Sequence, residues 1–241
     1  MMSEEQVERR SLEDLEDMLD AAHKQGIRLV IIGGYAVAAY TRGYRYTKDI
    51  DLVADKPVLG KLKGLLKSLG YSIRDTEFGI AGTKKLSKGF VDLHISVGRI
   101  RDISTGKEYP INSSFFKYAK RLTVRGYISK DTSLKALVAD LETLIVLKTM
   151  PVGRDKDAVD LISLLRDRME EVDLPSLVDR TTAAGLTLHL LNRVRDYARR
   201  LRDGELDKIW FDITATRLPY TEKREIWKFF AKLADLLRRT V

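Results

Sequence analysis

The 241-residue chain is 44% hydrophobic and 32% charged, which is enough apolar material for one large core or two smaller ones. It has no cysteine, so a disulfide framework and a thiolate metal site are excluded. No stretch approaches the ~20 apolar residues of a membrane helix, and Met1 to Arg10 lacks an apolar signal core, so a cytoplasmic protein with no membrane partner is expected.

The formal charge of +8 is unevenly spread: residues 42–135 carry 20 Lys/Arg against 9 Asp/Glu, while residues 1–41 carry 4 against 8. The excess suits a triphosphate alone, or a triphosphate with a polyanionic acceptor such as RNA; a solvated basic surface accounts for it equally well. Only two asparagines (Asn112, Asn192) and two glutamines (Gln6, Gln25) occur, the amide depletion associated with hyperthermophiles.

In chain order, Glu4 to Gln25 reads as an amphipathic helix with Leu12, Leu15, Met18, Leu19 and Ala22 on one stripe and Gly26 as its stop. His23 is a helix-end residue. Leu29 to Ile32 is an apolar strand that ends at Gly33-Gly34 and turns into a helix over Tyr35 to Tyr40. A glycine pair at that junction lets another group approach the backbone, and the first helix amides carry partial positive charge, which suits phosphate. The period of two in Asp49-Ile50-Asp51-Leu52-Val53 puts Asp49 and Asp51 on one strand face and Ile50 and Leu52 on the other. Two like charges side by side repel, so a cation is expected between them. Phe90 to Ile95 alternates likewise, with Asp92 and His94 opposite Val91, Leu93 and Ile95. Three carboxylates from two strands, all oxygen donors, suit Mg²⁺ or Mn²⁺ rather than zinc. Beside a phosphate-binding turn they form a two-metal phosphoryl or nucleotidyl transfer site.

Lys56-Pro57 opens a helix to Leu69, with Leu59, Leu62, Leu65, Leu66 and Leu69 as its core stripe and Lys56, Lys61, Lys63 and Lys67 on a solvated face. Tyr71 to Arg74, Lys84 to Leu86 and Phe90 to Ile95 follow as short strands. Gly98 to Pro110 is a loop or ragged hairpin. Ser113 to Lys120 is a short helix capped by Ser113 or Ser114, and Leu122 to Ile128 is a strand. From Asp131 onward only helices are expected: Leu134 to Lys148, Asp155 to Met169, Leu174 to Ala183, Leu186 to Leu201, Glu205 to Asp212 and Thr221 to Arg239. In the fourth, Arg193, Arg195, Arg199, Arg200 and Arg202 form a basic ridge, read either as a charged surface or as a phosphate contact. The fold class is therefore α/β (α+β): a small mixed sheet with helices in 1–130, with the helix 4–25 packed on it, and an all-helical domain in 131–241.

The order Gly33-Gly34, Arg45-x-Thr47-x-Asp49-Ile50-Asp51 and Asp92 within an apolar strand resembles the nucleotidyltransferase superfamily of polymerase beta type, and within it the prokaryotic abortive-infection toxins. The run Leu144 to Lys148 followed by Arg154-Asp155-Lys156-Asp157-x-x-Asp160-Leu161 is similar to the helical segment after the catalytic domain of that superfamily. The resemblance implies a metal-dependent enzyme moving a nucleoside monophosphate from an NTP, such as ATP, to a hydroxyl on tRNA or a protein. It implies Asp49, Asp51 and Asp92 as catalytic metal ligands. Gly33, Gly34, Arg45, Thr47, Lys48, Lys148 and Asp157 would contact the nucleotide, and a cognate antitoxin would be a further partner. The alternatives are a small-molecule acceptor, as in aminoglycoside-type relatives, and a non-catalytic nucleotide- or RNA-binding antitoxin-type protein.

Overall fold

The computed structural model describes residues 3–87 and 89–241, so the start of the Met1 to Arg10 stretch lies outside the described residues, as does the side chain of Lys56, expected on a solvated face. Two compact units emerge: 1–100 with 110–140, and 101–109 with 141–241.

The first unit opens with α1 (Glu4–Lys24), started by a reciprocal cap between Ser3 and Gln6. Then come β1 (Leu29–Ile32), α2 (Gly33–Tyr40), β2 (Ile50–Ala54), a 3₁₀ turn at Lys56–Val58 and α3 (Leu59–Ser68). The strands β3 (Ser72–Thr76), β4 (Gly79–Lys85) and β5 (Phe90–Val97) follow. A two-stranded ribbon, β6 (Arg99–Arg101) and β7 (Glu108–Pro110), precedes α4 (Ser113–Tyr118), β8 (Lys120–Arg125) and β9 (Ser133–Val138). Gly98 to Pro110 is thus a true hairpin, and α4 is capped by Asn112, whose side chain accepts from the amides of Ser114 and Phe115, rather than by a serine.

Seven strands form one mixed sheet in the order β3-β4-β5-β2-β1-β9-β8. The β2–β5 and β1–β9 pairs are parallel and the others antiparallel. Register divides the side chains between two faces. Ile31, Leu52, Ile95, Ile80 and Val138 are linked across five strands and all are buried; this is the core face. Helix α1 lies on it, tied by Lys84 Nζ to Asp14 Oδ1 at 2.7 Å. The opposite face carries Asp51, His94 and Asp92.

The expected helix over Leu134 to Lys148 is corrected: residues 133–138 are β9, and the helix α5 spans Leu141–Thr149. Leu134, Leu137, Val138, Leu141 and Leu144 fit a helical period, but Leu134, Ala136 and Val138 also fit a period of two. The exposed main chain of β1 selects the second, through the Ala139 amide donating to Ile31 O at 2.9 Å.

The second unit is helical after the ribbon tip: α5, α6 (Asp155–Arg168), a 3₁₀ turn at Met169–Glu171, α7 (Leu174–Ala183), α8 (Thr187–Arg202), α9 (Glu205–Thr214) and α10 (Tyr220–Arg238). Trp210, Tyr197 and Phe230 fill its core, the last two stacked at 5.8 Å between centroids. The basic ridge expected on α8 is largely neutralised. Arg193 is buried, donating to Thr149 O and paired with Asp196, while Arg199, Arg200 and Arg202 pair with Asp196, Asp203 and Glu205.

Candidate active site

The site is assembled where β1 ends and α2 begins. Gly33 has φ +71, a left-handed conformation that disfavours any residue with a Cβ. A second constraint acts at the same position: a Cβ there would run into Asp51 Oδ2 and lie 2.8 Å from Asp51 Cβ. Asp51 therefore packs directly on the bare main chain of Gly33, a contact prepared by the Ile32–Asp51 pairing of β1 with β2. Gly34 is closed in from the other side. A Cβ on it would lie 2.7 Å from Thr47 Oγ1 and 3.2 Å from an Arg45 guanidinium nitrogen. The pair of glycines thus serves a close approach by three side chains of the 45–51 segment. Helix α2 has no side-chain cap, so its first amides are not consumed by a capping residue.

Across the parallel β2–β5 pair, Asp51 is opposite His94 and Ile50 opposite Leu93, and continuing that register by one residue sets Asp49 beside Asp92. Asp51, Asp92 and His94 therefore occupy one face of two neighbouring strands, as the alternation in the sequence requires, with Asp49 in the residue just ahead of β2. His94 Nδ1 lies 3.5 Å from Asp51 Oδ1, with the imidazole 56% and the carboxylate 32% exposed. The His94 pKa is held above its ordinary value, first by its hydrogen bond to Asp51 and then by the charges of Asp51, Asp49 and Asp92, against the opposing effect of burial. The electrostatic field of all three acids thus meets at one imidazole. Nearby, burial first, and then Glu4, Glu8 and Asp49, push the Tyr46 hydroxyl up to about 12, keeping it neutral.

Among the described residues no three acidic or histidine side chains are gathered into a ready cation cage. Each strand carboxylate is turned to a protein partner instead: Thr83 Oγ1 donates to Asp92 Oδ1 at 3.1 Å, and His94 leans on Asp51. The donor chemistry nevertheless fits a hard divalent cation, since three carboxylates share one partly exposed face.

Lys48 is held away from the acids. Its Nζ donates to Phe90 O at 3.3 Å and lies 3.7 Å from the centre of the Phe90 ring, while its carbonyl accepts from Ser11 Oγ at 2.7 Å. Arg45 Nη1 donates to Tyr46 O at 3.1 Å. Lys148 and Asp157 belong to the second unit and meet there. Lys148 is buried, with its Nζ 2.8 Å from both Asp157 Oδ1 and Asp160 Oδ2, and Arg154 Nε is 3.0 Å from Asp157 Oδ2. Asp160, the third member of this knot, stands in the matched helical segment without a role assigned from the sequence, although its i+3 spacing from Asp157 places both acids on one helix face. Thr83 was missed in the sequence. Its pairing opposite Asp92 depends on the β4 register, which no local pattern encodes.

The model of the family of nucleotidyltransferases of unknown function, DUF6036, matches residues 10–202. Among solved structures, a protein of H. pylori assigned to the nucleotidyltransferases is similar over 96% of both chains, at 14% identity and a TM-score of 0.54. JHP933 from Helicobacter pylori is similar over 95% of this chain and 92% of its own, at 16% identity and 0.52. The adenylyl-2″-tobramycin complex of ANT(2″)-Ia aligns with 72% of this chain and 95% of its own, at 15% identity and 0.50. At these identities the likeness is one of fold. No curated protein matches the chain. Among the described residues no helix is long and apolar enough to cross a membrane. Because the family match spans both units and takes in the glycine pair together with all three strand acids, the chain belongs to the DUF6036 nucleotidyltransferases.

Proposed function

We propose that the protein transfers a nucleoside monophosphate from an NTP to a hydroxyl acceptor in a reaction that depends on Mg²⁺ or Mn²⁺. The observation that carries this reading is the seating of Asp51 on the main chain of Gly33, with Asp49 and Asp92 on the same sheet face. A helix start suited to phosphate next to an acidic centre supports a nucleotide-transfer site.

In the reaction, the acceptor oxygen attacks the α-phosphorus, the bond from that phosphorus to the β-bridging oxygen breaks, and pyrophosphate leaves. Asp92 takes the proton of the attacking hydroxyl; Thr83, which donates to it, orients the carboxylate. Asp49 and Asp51, with Asp92, would hold the divalent cation, which when bound offsets the triphosphate charge and eases ionisation of the hydroxyl. The first amides of α2 and the Arg45 guanidinium, next to Gly34, receive the leaving phosphates. Thr47 fixes the 45–51 segment against Gly34, and Lys48 anchors its other side on Phe90. In the second unit, Lys148 and Asp157 act through the knot they form with Asp160.

The acceptor is found by incubating the protein with each α-labelled NTP, Mg²⁺ and a cell extract. Label is expected in one macromolecular fraction, with release of pyrophosphate. Transfer to a small molecule would assign the acceptor class found for ANT(2″)-Ia, and nucleotide binding without any pyrophosphate release would support a non-catalytic binder. Asp49→Asn, with its melting temperature retained, is expected to lower transfer by about 10²-fold or more, the scale of losing one electrostatic stabiliser. Unchanged transfer in that variant removes the carboxylates from the mechanism.

A further inference from the structure

We infer that the outer face of the β8–β9 hairpin binds the backbone of an RNA whose hydroxyl is presented to the acidic centre. This rests on the transfer reaction proposed above and assigns the class of its acceptor.

The argument begins with register. Val138 pairs with Ile31 on the core face, so Leu137, Lys135 and Ser133 lie on the other face, together with Ile32 and Asp51. In β8, Arg121 is opposite Leu137, Thr123 opposite Lys135 and Arg125 opposite Ser133. Arg121, Arg125 and Lys135 therefore stand on the same side of the sheet as Asp51, Asp92 and His94. All three are exposed, whereas Leu134, Ala136, Val138 and Val124 on the reverse side are buried. Two to three strand spacings and a few residues of rise separate the basic groups from Asp51, a distance of about 15–25 Å.

The second part of the argument is the absence of counter-charge. Among the described residues none of Arg121, Arg125 and Lys135 has an ion-pair partner, although the protein pairs most of its other arginines. Residues 117–135 contain six Lys/Arg and one acid, Asp131, and that acid is taken by Arg9 at 2.9 Å. Three uncompensated cations on one small surface repel one another, and a polyanion relieves the repulsion while releasing its own counterions. The hairpin is also held rigid. The loop after β8 is fastened to α1 through Glu8, whose carboxylate accepts from the amides of Tyr127, Ile128 and Ser129 and from the Ser129 hydroxyl at 2.8–2.9 Å.

RNA is favoured over DNA by what lies between the cations. Thr123 and Ser133 alternate with Arg121, Lys135 and Arg125 in a checkerboard of hydroxyl and positive charge, which suits alternating phosphates and 2′-hydroxyls. A folded protein acceptor would not need hydroxyls set between the cations, and a small acceptor would not reach them.

The test uses the full chain and compares two double variants that remove equal charge from different surfaces. R121E/R125E alters the hairpin face. K61E/K67E alters α3, where both lysines are exposed and have no ion pair among the described residues. The probe is a fluorescein-labelled RNA hairpin with a free 3′ overhang, with DNA of the same sequence alongside, titrated at several salt concentrations.

R121E/R125E is expected to weaken RNA binding by 10-fold or more and to flatten the slope of log affinity against log salt by about 2. K61E/K67E should leave both within 2-fold, and the DNA should bind more weakly than the RNA. Equal losses in the two variants, or wild-type binding no tighter than that of R121E/R125E, would overturn the inference, as would DNA binding as tightly as RNA. The result is kept apart from the reaction itself by measuring NTP binding and pyrophosphate release with D49N. If these support transfer while the RNA titrations fail, only the acceptor assignment falls.

Discussion

Single residues at this site are fixed by contacts, and the most constrained is Gly33. Alanine there meets both a left-handed backbone and the Asp51 carboxylate, so either the turn opens or Asp51 is displaced. Gly33→Ala is expected to lower stability by about 1–3 kcal/mol in thermal melts and to reduce transfer more than Gly34→Ala does, because the latter presses on Thr47 rather than on a carboxylate. Equal activity of the wild type and Gly33→Ala would show that Asp51 needs no such seat.

Glu8 offers a second test at the same scale. Both of its oxygens accept from backbone amides, Oε1 from Tyr127 and Oε2 from Ile128 and Ser129, so a glutamine must turn its NH₂ toward a donor whichever way it lies. Glu8→Gln should cost about 2–3 kcal/mol in chemical denaturation, much more than an exposed Glu→Gln change. The alternation that puts Asp51 and Asp92 on one sheet face was legible in the sequence because strand alternation is a local property; Asp49 lies just ahead of β2. The sequence could not show that Thr83 and His94 engage Asp92 and Asp51, since both contacts depend on which strands become neighbours.

Among the elements, the ribbon β6–β7 is held by a carboxylate. Asp102 is mostly buried, and burial alone would raise its pKa. Hydrogen bonds from Thr105 and Ser104, side chain and amide, outweigh that and hold the group below the usual aspartate value. A depressed carboxylate contributes stability that is present in full above the unfolded value near 4 and is lost as pH falls through the lower folded value. Hydrogen exchange at the amides of 104–106 should therefore accelerate on acidification only below about pH 4, and Asp102→Ala should show fast exchange there at every pH. A wild-type turn equally protected on both sides of that window would rule out the carboxylate as its anchor.

The strand β9 carries the main lesson at this scale. Its apolar residues satisfy two periods at once, and the hydrogen-bonding edge of β1 chose between them. Residues 131–140 consequently group with the sheet, although they were expected to begin the helical domain.

For the whole molecule, stability and chemistry are divided between an open-faced sheet unit and a helical unit with its own polar knot. Lys148 sits between Asp157 and Asp160 in the interior of the second unit. Lys148→Met removes the cation that two buried carboxylates share, with Arg154 still beside Asp157, and should destabilise the protein by about 3–5 kcal/mol, read as a fall in the urea midpoint. If the midpoint holds and transfer alone is lost, Lys148 acts on the nucleotide rather than on the fold. The uneven charge visible in the sequence has a spatial counterpart: the basic excess in 42–135 includes Arg121, Arg125 and Lys135 on the face that also bears the acids.

By itself the sequence determined the amphipathic helices, the glycine turn, the two acidic strands and the family, all of which follow from short-range periodicity, turn chemistry and ordered motifs. Only the tertiary structure decided that Asp51 rests on Gly33, that 101–109 joins the helical unit and that the exposed cations of β8–β9 face the same way as the carboxylates. Each of these depends on a pairing between segments distant in the chain. Its energy comes from main-chain hydrogen bonds and burial that exist only once the sheet has closed.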